Sequence, residues 1–140
     1  NEAIFQIEMD QIREALQVMD AFGIKPINLP KVPIALLSFA IRFFPTGILQ
    51  RILKKPLSSG RGNKMPSFHI DLHAGRKMSE VDYLNGAVVR FGHKAGIHTP
   101  VNKVLNTTLL NLTINNTKIS DYQKYPELLV NAIQFEKTGI

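Results

Sequence analysis

Apolar residues recur every three or four positions along this 140-residue chain, and that spacing constrains its fold more than any other feature. The first stripe, within residues 3–22, consists of Phe5, Met9, Ile12, Leu16 and Met19. Steps of three and four keep side chains on one face of an α-helix, whereas a half-buried strand needs strict alternation. No segment alternates with a period of two, so the sequence predicts an all-α fold.

Glycine and proline mark where the other helices begin and end. Gly23 predicts the end of the first helix, and the three prolines of residues 24–33 predict an extended connector. Residues 56–66 predict a loop, which is the one internal boundary that the composition indicates. Two helices, 34–44 and 48–55, are predicted on either side of a break at Pro45. A short helix is predicted at 67–74, and a longer one at 79–95, with Ser79 as its N-cap and Gly96 as its stop. Another helix starts at Thr99-Pro100, and the last spans 126–135.

Two of these helices have apolar stripes that predict their buried faces. Along 79–95 the stripe consists of Val81, Leu84, Val88 and Phe91. After Pro100 it consists of Val101, Val104, Leu105, Leu109 and Leu112. We expect both stripes to face the core.

The most apolar part of the chain, residues 34–55, allows two interpretations. It can be a helix pair buried in a core or a subunit interface, or a membrane-surface element closed by Lys54 and Lys55. It is too short and too interrupted to span a bilayer, which needs about 20 apolar residues. Its polar face is thin, which favours the first interpretation.

Composition limits the classes of function. The length suits a single domain over residues 1–140, and a net charge of +6 favours anionic partners. The basic residues occur in twos and threes without interleaved aromatic residues, which argues against nucleic acid. The chain has no cysteine and no secretory signal, so we expect a cytoplasmic protein without disulfides or thiolate metal sites. It opens directly in helical periodicity without Met, and we expect a piece of a longer protein.

An ordered series of short motifs lies between Lys64 and Asn102. It consists of Pro66-Ser67, Asp71, Gly75-Arg76, Ser79-Glu80, Asn85-Gly86, Gly96-Ile97, Thr99-Pro100 and Asn102. The series resembles the signature of the ketopantoate reductase (2-dehydropantoate 2-reductase) family, in its C-terminal helical domain. The first 63 residues resemble that domain more loosely, and the segment after Leu112 resembles it weakly.

The resemblance implies an all-α bundle like the C-terminal domains of ketopantoate reductase and 6-phosphogluconate dehydrogenase-like enzymes. It implies an NADPH-dependent oxidoreductase that reduces a 2-keto acid, typically 2-dehydropantoate to pantoate in pantothenate and coenzyme A biosynthesis. NADP would be bound by an N-terminal Rossmann domain that these 140 residues lack. The implied partners are therefore the 2-keto acid, that Rossmann domain and a second copy in a homodimer. The 140 residues alone should be inactive.

The resemblance also assigns site residues. Glu80 matches the family's catalytic or substrate-orienting glutamate, and Ser67 matches its substrate-contacting serine. The family often has an asparagine three residues before that serine, where this chain has Lys64 with Asn63 one step away. The family's general-acid lysine lies in a Lys-x-x-x-Asn pattern that is not found here, so we expect it upstream.

The residues themselves leave alternatives open. Ser67 at a helix start can bind an anion or only cap the helix, and Glu80 can act on substrate or only complement the helix dipole. Lys64 can contact substrate or remain a solvated loop charge. The Asn85-Gly86 pair favours a close helix contact over an amide in a cleft.

Neither a metal site nor a cofactor site is predicted within the chain. His69 and His73 share a helix face around Asp71, but no third ligand is evident. No Gly-x-Gly-x-x-Gly motif is present, so we expect no cofactor-binding residues. The rival interpretation is a non-enzymatic helical module for dimerisation or membrane-surface contact.

Overall fold

The computed structural model describes residues 2–60, 80–114, 119–125 and 127–139, with the backbone alone for 54–60. Within these ranges the chain forms helices joined by turns, with no β-strand, which confirms the predicted all-α class. The helices are α1 (Glu2–Ala21), α2 (Ile34–Phe43), α3 (Thr46–Gly60), α4 (Val81–Ala95), α5 (Pro100–Thr113), α6 (Ile119–Lys124) and α7 (Glu127–Thr138). The short α6 was not predicted.

The chain divides into two compact units, residues 1–64 and residues 65–140. We call them the N-terminal unit, which contains α1–α3, and the C-terminal unit, which contains α4–α7. The division falls inside the predicted boundary at 56–66. The expectation of one domain over residues 1–140 stays a prediction.

The core of the N-terminal unit forms where α1 packs against α2 and α3. Met9 and Leu16 of α1 are buried with Ile41 of α2 and Leu49 of α3. Phe5 and Met19 complete the predicted stripe as half-buried neighbours of this cluster. The stripe was wrong at Ile12, which is 38% exposed.

The connector from α1 to α2 is fixed by local backbone geometry and one asparagine. Gly23 has a φ of 68°, and the amide of Ile24 donates to the carbonyl of Met19 at 2.9 Å, as in a Schellman motif. The predicted stop at Gly23 is thereby confirmed. At the far end, the Asn28 side chain accepts a hydrogen bond from the amide of Ala35 at 2.9 Å. Asn28 thus caps the first turn of α2, which Pro33 leaves without a side-chain cap.

Arg13 of α1 holds the corner between α2 and α3. Its Nε donates to the carbonyl of Ile41 at 2.8 Å, and its Nη2 donates to that of Phe44 at 2.9 Å. Its Nη1 donates to Thr46 Oγ1 at 3.1 Å. Carbonyls at a helix C-terminus have no partner inside the helix, so the guanidinium supplies the donors that the end of α2 requires.

The helix α3 continues beyond its predicted end. Residues 56–60, predicted as loop, are helical, and only the next residues lie outside the described part of the chain. Pro56 lacks the N–H that would bond to the carbonyl of residue 52. A proline removes one helical hydrogen bond without necessarily ending the helix, which is why this prediction was wrong.

The α2–α3 segment is only partly buried. Ser38, Ile41 and Leu49 are buried, whereas several large apolar side chains of this segment are exposed: Leu36, Phe39, Phe43, Phe44, Ile48 and Ile52. The interpretation of these helices as buried in a core therefore applies only to the face of each helix that packs on α1. Their other faces are exposed. No helix in the described ranges is both long and apolar enough to cross a membrane.

In the C-terminal unit α4 and α5 form the main contact, and α7 packs on α5. The predicted stripe of α4 was wrong at Leu84 and Phe91, which are 64% and 44% exposed, whereas Val81 is buried. Asn85, Gly86 and Gly92 are buried instead. Small and amide side chains permit a close approach that large apolar ones would prevent.

The predicted buried side of α5 is nearer the observation. Val101 and Leu112 are buried, and Val104, Leu105 and Leu109 are half-buried. The predicted start at Pro100 is confirmed, with Pro in the first turn of the helix. The predicted last helix is present as α7, which runs three residues beyond Phe135 to Thr138.

Candidate active site

Of the four residues predicted for the site, the structure describes Glu80. The predicted substrate-binding residues Ser67, Lys64 and Asn63 lie outside the described residues. Their approach to Glu80 therefore stays a prediction.

Glu80 lies at the start of α4, one residue before its first helical position. Its φ of −59° and ψ of −15° are helical, and its carbonyl accepts a hydrogen bond from the amide of Leu84 at 3.0 Å. The side chain is exposed and makes no capping hydrogen bond. Its carboxylate is therefore not used to cap α4, and it lies where the helix N-terminus favours a negative charge.

A pair of buried amides joins α4 to α5 near this end. Asn85 Nδ2 donates to Asn102 Oδ1 at 2.9 Å, and the two residues are 8% and 1% exposed. A buried amide without a partner would cost about 1–3 kcal/mol, so Asn85 requires its hydrogen bond to Asn102. The sequence motifs included both residues, but nothing in their spacing indicated that they pair.

A second polar contact lies at the first turn of α4. Asp82 Oδ1 accepts from Arg90 Nη1 at 3.1 Å and, more weakly, from Asn106 Nδ2 at 3.4 Å. Arg90 Nη2 also donates to the backbone carbonyl of Asp82 at 3.0 Å. The arginine reaches back two turns along its own helix, and Asn106 approaches from α5.

Gly86 makes that reach possible. A Cβ at this position would meet the Asp82 carboxylate and would lie 2.9 Å from Arg90 Nη1. The favoured interpretation, close contact with another helix through Gly86, stays a prediction, and the nearest side chains belong to α4 itself. The space beside the glycine is filled by side chains from one turn before and one turn after it on α4.

The corner between α4 and α5 sets the register of these contacts. Gly96 has a φ of 68°, and the amide of Ile97 donates to the carbonyl of Gly92 at 2.8 Å. A Cβ at Gly92 would lie 2.8 Å from Thr99 Cγ2 and 3.0 Å from the carbonyl oxygen of Ile97. The corner residues therefore approach α4 closely at Gly92.

From that corner towards Glu80, residues of α4 contact residues at the start of α5 and along it in antiparallel order. Gly92 meets Thr99, Asn85 meets Asn102, and Asp82 meets Asn106. The two helices therefore form an antiparallel hairpin whose open end carries Glu80. Thr99 makes no side-chain cap of α5, because its side chain packs at Gly92 instead.

Glu136 of α7 forms a charged contact with Lys103 of α5. Lys103 Nζ donates to Glu136 Oε1 at 2.6 Å, and this hydrogen bond is the main cause that lowers the pKa of Glu136. His98 Nε2 lies 3.7 Å from the same oxygen. The contact connects α7 to α5 and does not include Glu80, so it belongs to packing.

Metal binding has no geometric support in the described ranges. They contain no group of three His, Asp or Glu side chains that could hold an ion. His69, His73 and Asp71, which share a predicted helix face, lie outside those ranges.

The described residues thus define an all-α helical domain in which Glu80, the glutamate that the motif resemblance assigns, lies at the start of α4. The chain belongs to the family described as ketopantoate reductase PanE/ApbA C terminal, whose model matches residues 2–112. The resemblance stated from the motifs is thereby confirmed.

A curated relative is similar over much of this chain. The 2-dehydropantoate 2-reductase of Pyrobaculum aerophilum is 30% identical over 99 residues, which are 71% of this chain. The aligned region covers 28% of that relative's own length. No solved structure matches.

Proposed function

We propose that this chain is the substrate-side helical domain of an NADPH-dependent reductase that converts 2-dehydropantoate to pantoate. The observation that supports this proposal best is the family match over residues 2–112, which includes the Glu80 motif. Reduction of a 2-keto acid needs a hydride donor at the carbonyl carbon, a proton donor for the developing alkoxide and a holder for the carboxylate. The helical domain would contribute to the last two.

In this proposal Glu80 orients the substrate. Its carboxylate would accept a hydrogen bond from a substrate hydroxyl or fix a lysine of the N-terminal domain. Ser67, with Lys64 or Asn63, would hold the substrate carboxylate at a helix N-terminus, where backbone N–H groups and a positive charge stabilise anions. The Asn85–Asn102 pair would fix the angle at which α4 presents Glu80.

NADPH, when bound, supplies the hydride. The described residues of this chain do not fit such a cofactor, because a dinucleotide site needs a glycine-rich turn after a strand and they contain no strand. We therefore assign the cofactor to an N-terminal domain of the full-length protein. The 140 residues alone should neither bind NADPH nor turn over.

The sharpest test is Glu80→Gln in the full-length protein, with NADPH oxidation measured on 2-dehydropantoate. Glutamine keeps the size of the side chain and removes its charge. We expect kcat/KM to fall by about 10²-fold with unchanged folding, since misplacement of the reacting groups can cost about that much. The matched control is Glu127→Gln, another exposed glutamate, which lies at the start of α7 and should retain activity.

Two outcomes would contradict different parts of the proposal. Unchanged turnover in Glu80→Gln would remove the role of Glu80 but leave the reductase. Absence of NADPH oxidation by the full-length wild type with every 2-keto acid offered would remove the reductase itself.

The homodimer and the cytoplasmic location are finer parts of the same proposal. The exposed side chains of Phe44, Ile48 and Ile52 support a contact between copies, because large apolar groups gain from leaving water. Sedimentation of the full-length protein should give the mass of a dimer. An Ile48→Glu variant should shift it to the monomer.

A further inference from the structure

The N-terminal unit contains a groove of about 340 Å³ that lies between the end of α1, the connector and α2. Its polar lining comes from Asp20, Lys25, Ser38 and Arg42, and the rings of Phe39 and Phe43 form its main apolar wall. The five α2 residues that line the groove, which include Ala35, follow one another at helical spacing, so a single face of α2 forms one side of it. The volume lies at the lower end of the range of small-ligand sites.

The polar atoms of the groove are mostly donors. Arg42 Nη1 is paired with Asp20 Oδ2, while Arg42 Nε is buried and has no hydrogen-bond partner among the described residues. Lys25 forms no ion pair within the same ranges. Two cations and one carboxylate leave one positive charge in excess, so the groove is complementary to a single negative charge.

The two phenylalanine rings of the apolar wall are largely exposed to solvent and pack on each other. Phe39 and Phe43 are 54% and 66% exposed, yet their rings pack against each other with centroids 4.7 Å apart. The pair therefore presents a broad apolar surface beside the cationic groups. An apolar group placed on it would remove both rings from water.

The sequence around the groove also favours an anionic ligand through its charge. Residues 21–70 contain no aspartate or glutamate, whereas they include Lys25, Lys31, Arg42 and Arg51 among their basic residues. A cationic ligand would meet net repulsion here. A dianionic phosphate would exceed the single excess charge and would leave the phenylalanine rings unused.

From these observations we propose that the groove formed by Lys25, Ser38, Phe39, Arg42 and Phe43 binds a monocarboxylate with an apolar body. The carboxylate lies at Lys25 and Arg42, and the apolar body lies on the two rings. Such a ligand is either a small aromatic or branched carboxylic acid, or the C-terminal carboxylate of a peptide with an apolar last residue. The site lies in the N-terminal unit and does not contain Glu80.

The test compares three probes of one shape: phenylpropanoate, phenylpropanol and phenylpropylamine. Each is titrated into the full-length protein, and two-dimensional NMR follows the amides of α2 and of the connector. We expect millimolar binding of the carboxylate, weaker binding of the alcohol and the weakest binding of the amine. Preference for the carboxylate should decrease as salt is added, because the charge of Lys25 is exposed.

Two variants separate the charge from the apolar wall. Lys25→Gln should weaken phenylpropanoate about three- to fivefold and leave phenylpropanol unchanged, as expected for one exposed charge pair. Phe39→Ala should weaken all three probes about tenfold, because it removes half of the ring pair. The matched control is Lys31→Gln, an exposed lysine of the same connector that does not line the groove.

The source of the ligand is distinguished by a fourth probe, a tripeptide that ends in phenylalanine, tested with a free and with an amidated C-terminus. Tighter binding of the free peptide than of phenylpropanoate would assign the groove to a protein C-terminus, and the reverse order would assign it to a small acid. Equal binding of the carboxylate and the amine, or shifts confined to α4 and α5, would overturn the proposal. These experiments measure ligand binding and not reductase activity. The proposed ligand of the groove can therefore be ruled out without any effect on the proposed function.

Discussion

At the scale of single residues, two buried amides join α5 to α4, the helix that begins next to Glu80. Asn85 and Asn102 are both nearly inaccessible to water, and a 2.9 Å hydrogen bond joins them. A hydrogen bond adds little net stability when it replaces one to water, but an amide that loses its buried partner bears the full cost of desolvation. The asymmetry between these two costs can be measured.

We expect Asn102→Leu to lower the free energy of unfolding by about 2 kcal/mol, because Asn85 is left unpaired. The double variant Asn85→Leu/Asn102→Leu should lose less than the sum of the two single changes. Urea denaturation of the four proteins gives the coupling energy. Asn106→Leu, which loses one long hydrogen bond, is the control and should cost clearly less; simple additivity of the Asn85 and Asn102 changes would contradict the pairing.

The two buried glycines of α4 should respond differently to the same substitution. At Gly86 a methyl group meets the ends of the exposed Asp82 and Arg90 side chains, which can move aside. At Gly92 it meets the carbonyl oxygen of Ile97 and the side chain of Thr99 across the tight corner, which cannot.

Gly86→Ala should therefore change the free energy of unfolding by less than about 0.5 kcal/mol, since the gain of about 1 kcal/mol in helix propensity offsets the displaced ion pair. Gly92→Ala should destabilise by about 1–3 kcal/mol through overpacking. Thermal unfolding of the two variants side by side measures the difference. Equal losses would show that the space beside Gly86 is as rigid as that beside Gly92.

At the scale of the elements, local signals were sufficient for most helix ends. Gly23 and Gly96 adopt a left-handed φ that glycine tolerates, and Pro45 and Pro100 fix φ while lacking a donor, so each acts through its own backbone. Contacts between residues that are distant in sequence had no comparable local signal. The contacts of Arg13 with Ile41, Phe44 and Thr46 lie 28 to 33 residues further along the chain, and periodicity alone could not indicate them.

Replacement of Arg13 should loosen the corner between α2 and α3. Arg13→Met keeps an unbranched apolar stem but leaves the carbonyls of Ile41 and Phe44 without their donor. We expect a loss of about 2–3 kcal/mol, because hydrogen bonds from a charged donor are worth more than neutral ones.

Chemical denaturation compared with Arg51→Met provides the check. Arg51 is an exposed arginine of α3 with no hydrogen bond to any described residue, and its replacement should be nearly neutral. Hydrogen exchange should also accelerate at the end of α2 in Arg13→Met. If the two variants lost the same stability, the contacts of Arg13 would be incidental.

At the scale of the whole molecule, the fold class and the family could be predicted from sequence, and the buried faces only in part. Periodicity identifies amphipathic helices, but it assumes that large apolar side chains are the buried ones. In α4 the closely packed side uses Asn85 and Gly92, so Leu84 remains exposed. The position of Ser67 relative to Glu80 stays a prediction.

The stability of the whole chain should depend on pH through Glu136. The hydrogen bond from Lys103, with a smaller contribution from the charge of His98, lowers the pKa of Glu136 below its ordinary 4.5. A carboxyl whose pKa is lower in the folded state stabilises that state above its unfolded pKa, and this stabilisation is lost as the pH falls through the folded value. The contribution should therefore be complete above pH 4.5 and decline in more acid solution.

We expect Glu136→Gln to lose about 0.5–1 kcal/mol at neutral pH, since the pair is partly exposed. The difference from wild type should disappear as both are unfolded at progressively lower pH. Lys103→Met should lose a similar amount, and the double variant little more than either single one, because both remove one interaction. A difference that persisted unchanged into acid would mean that packing of the Glu136 side chain, and not its charge, connects α7 to α5.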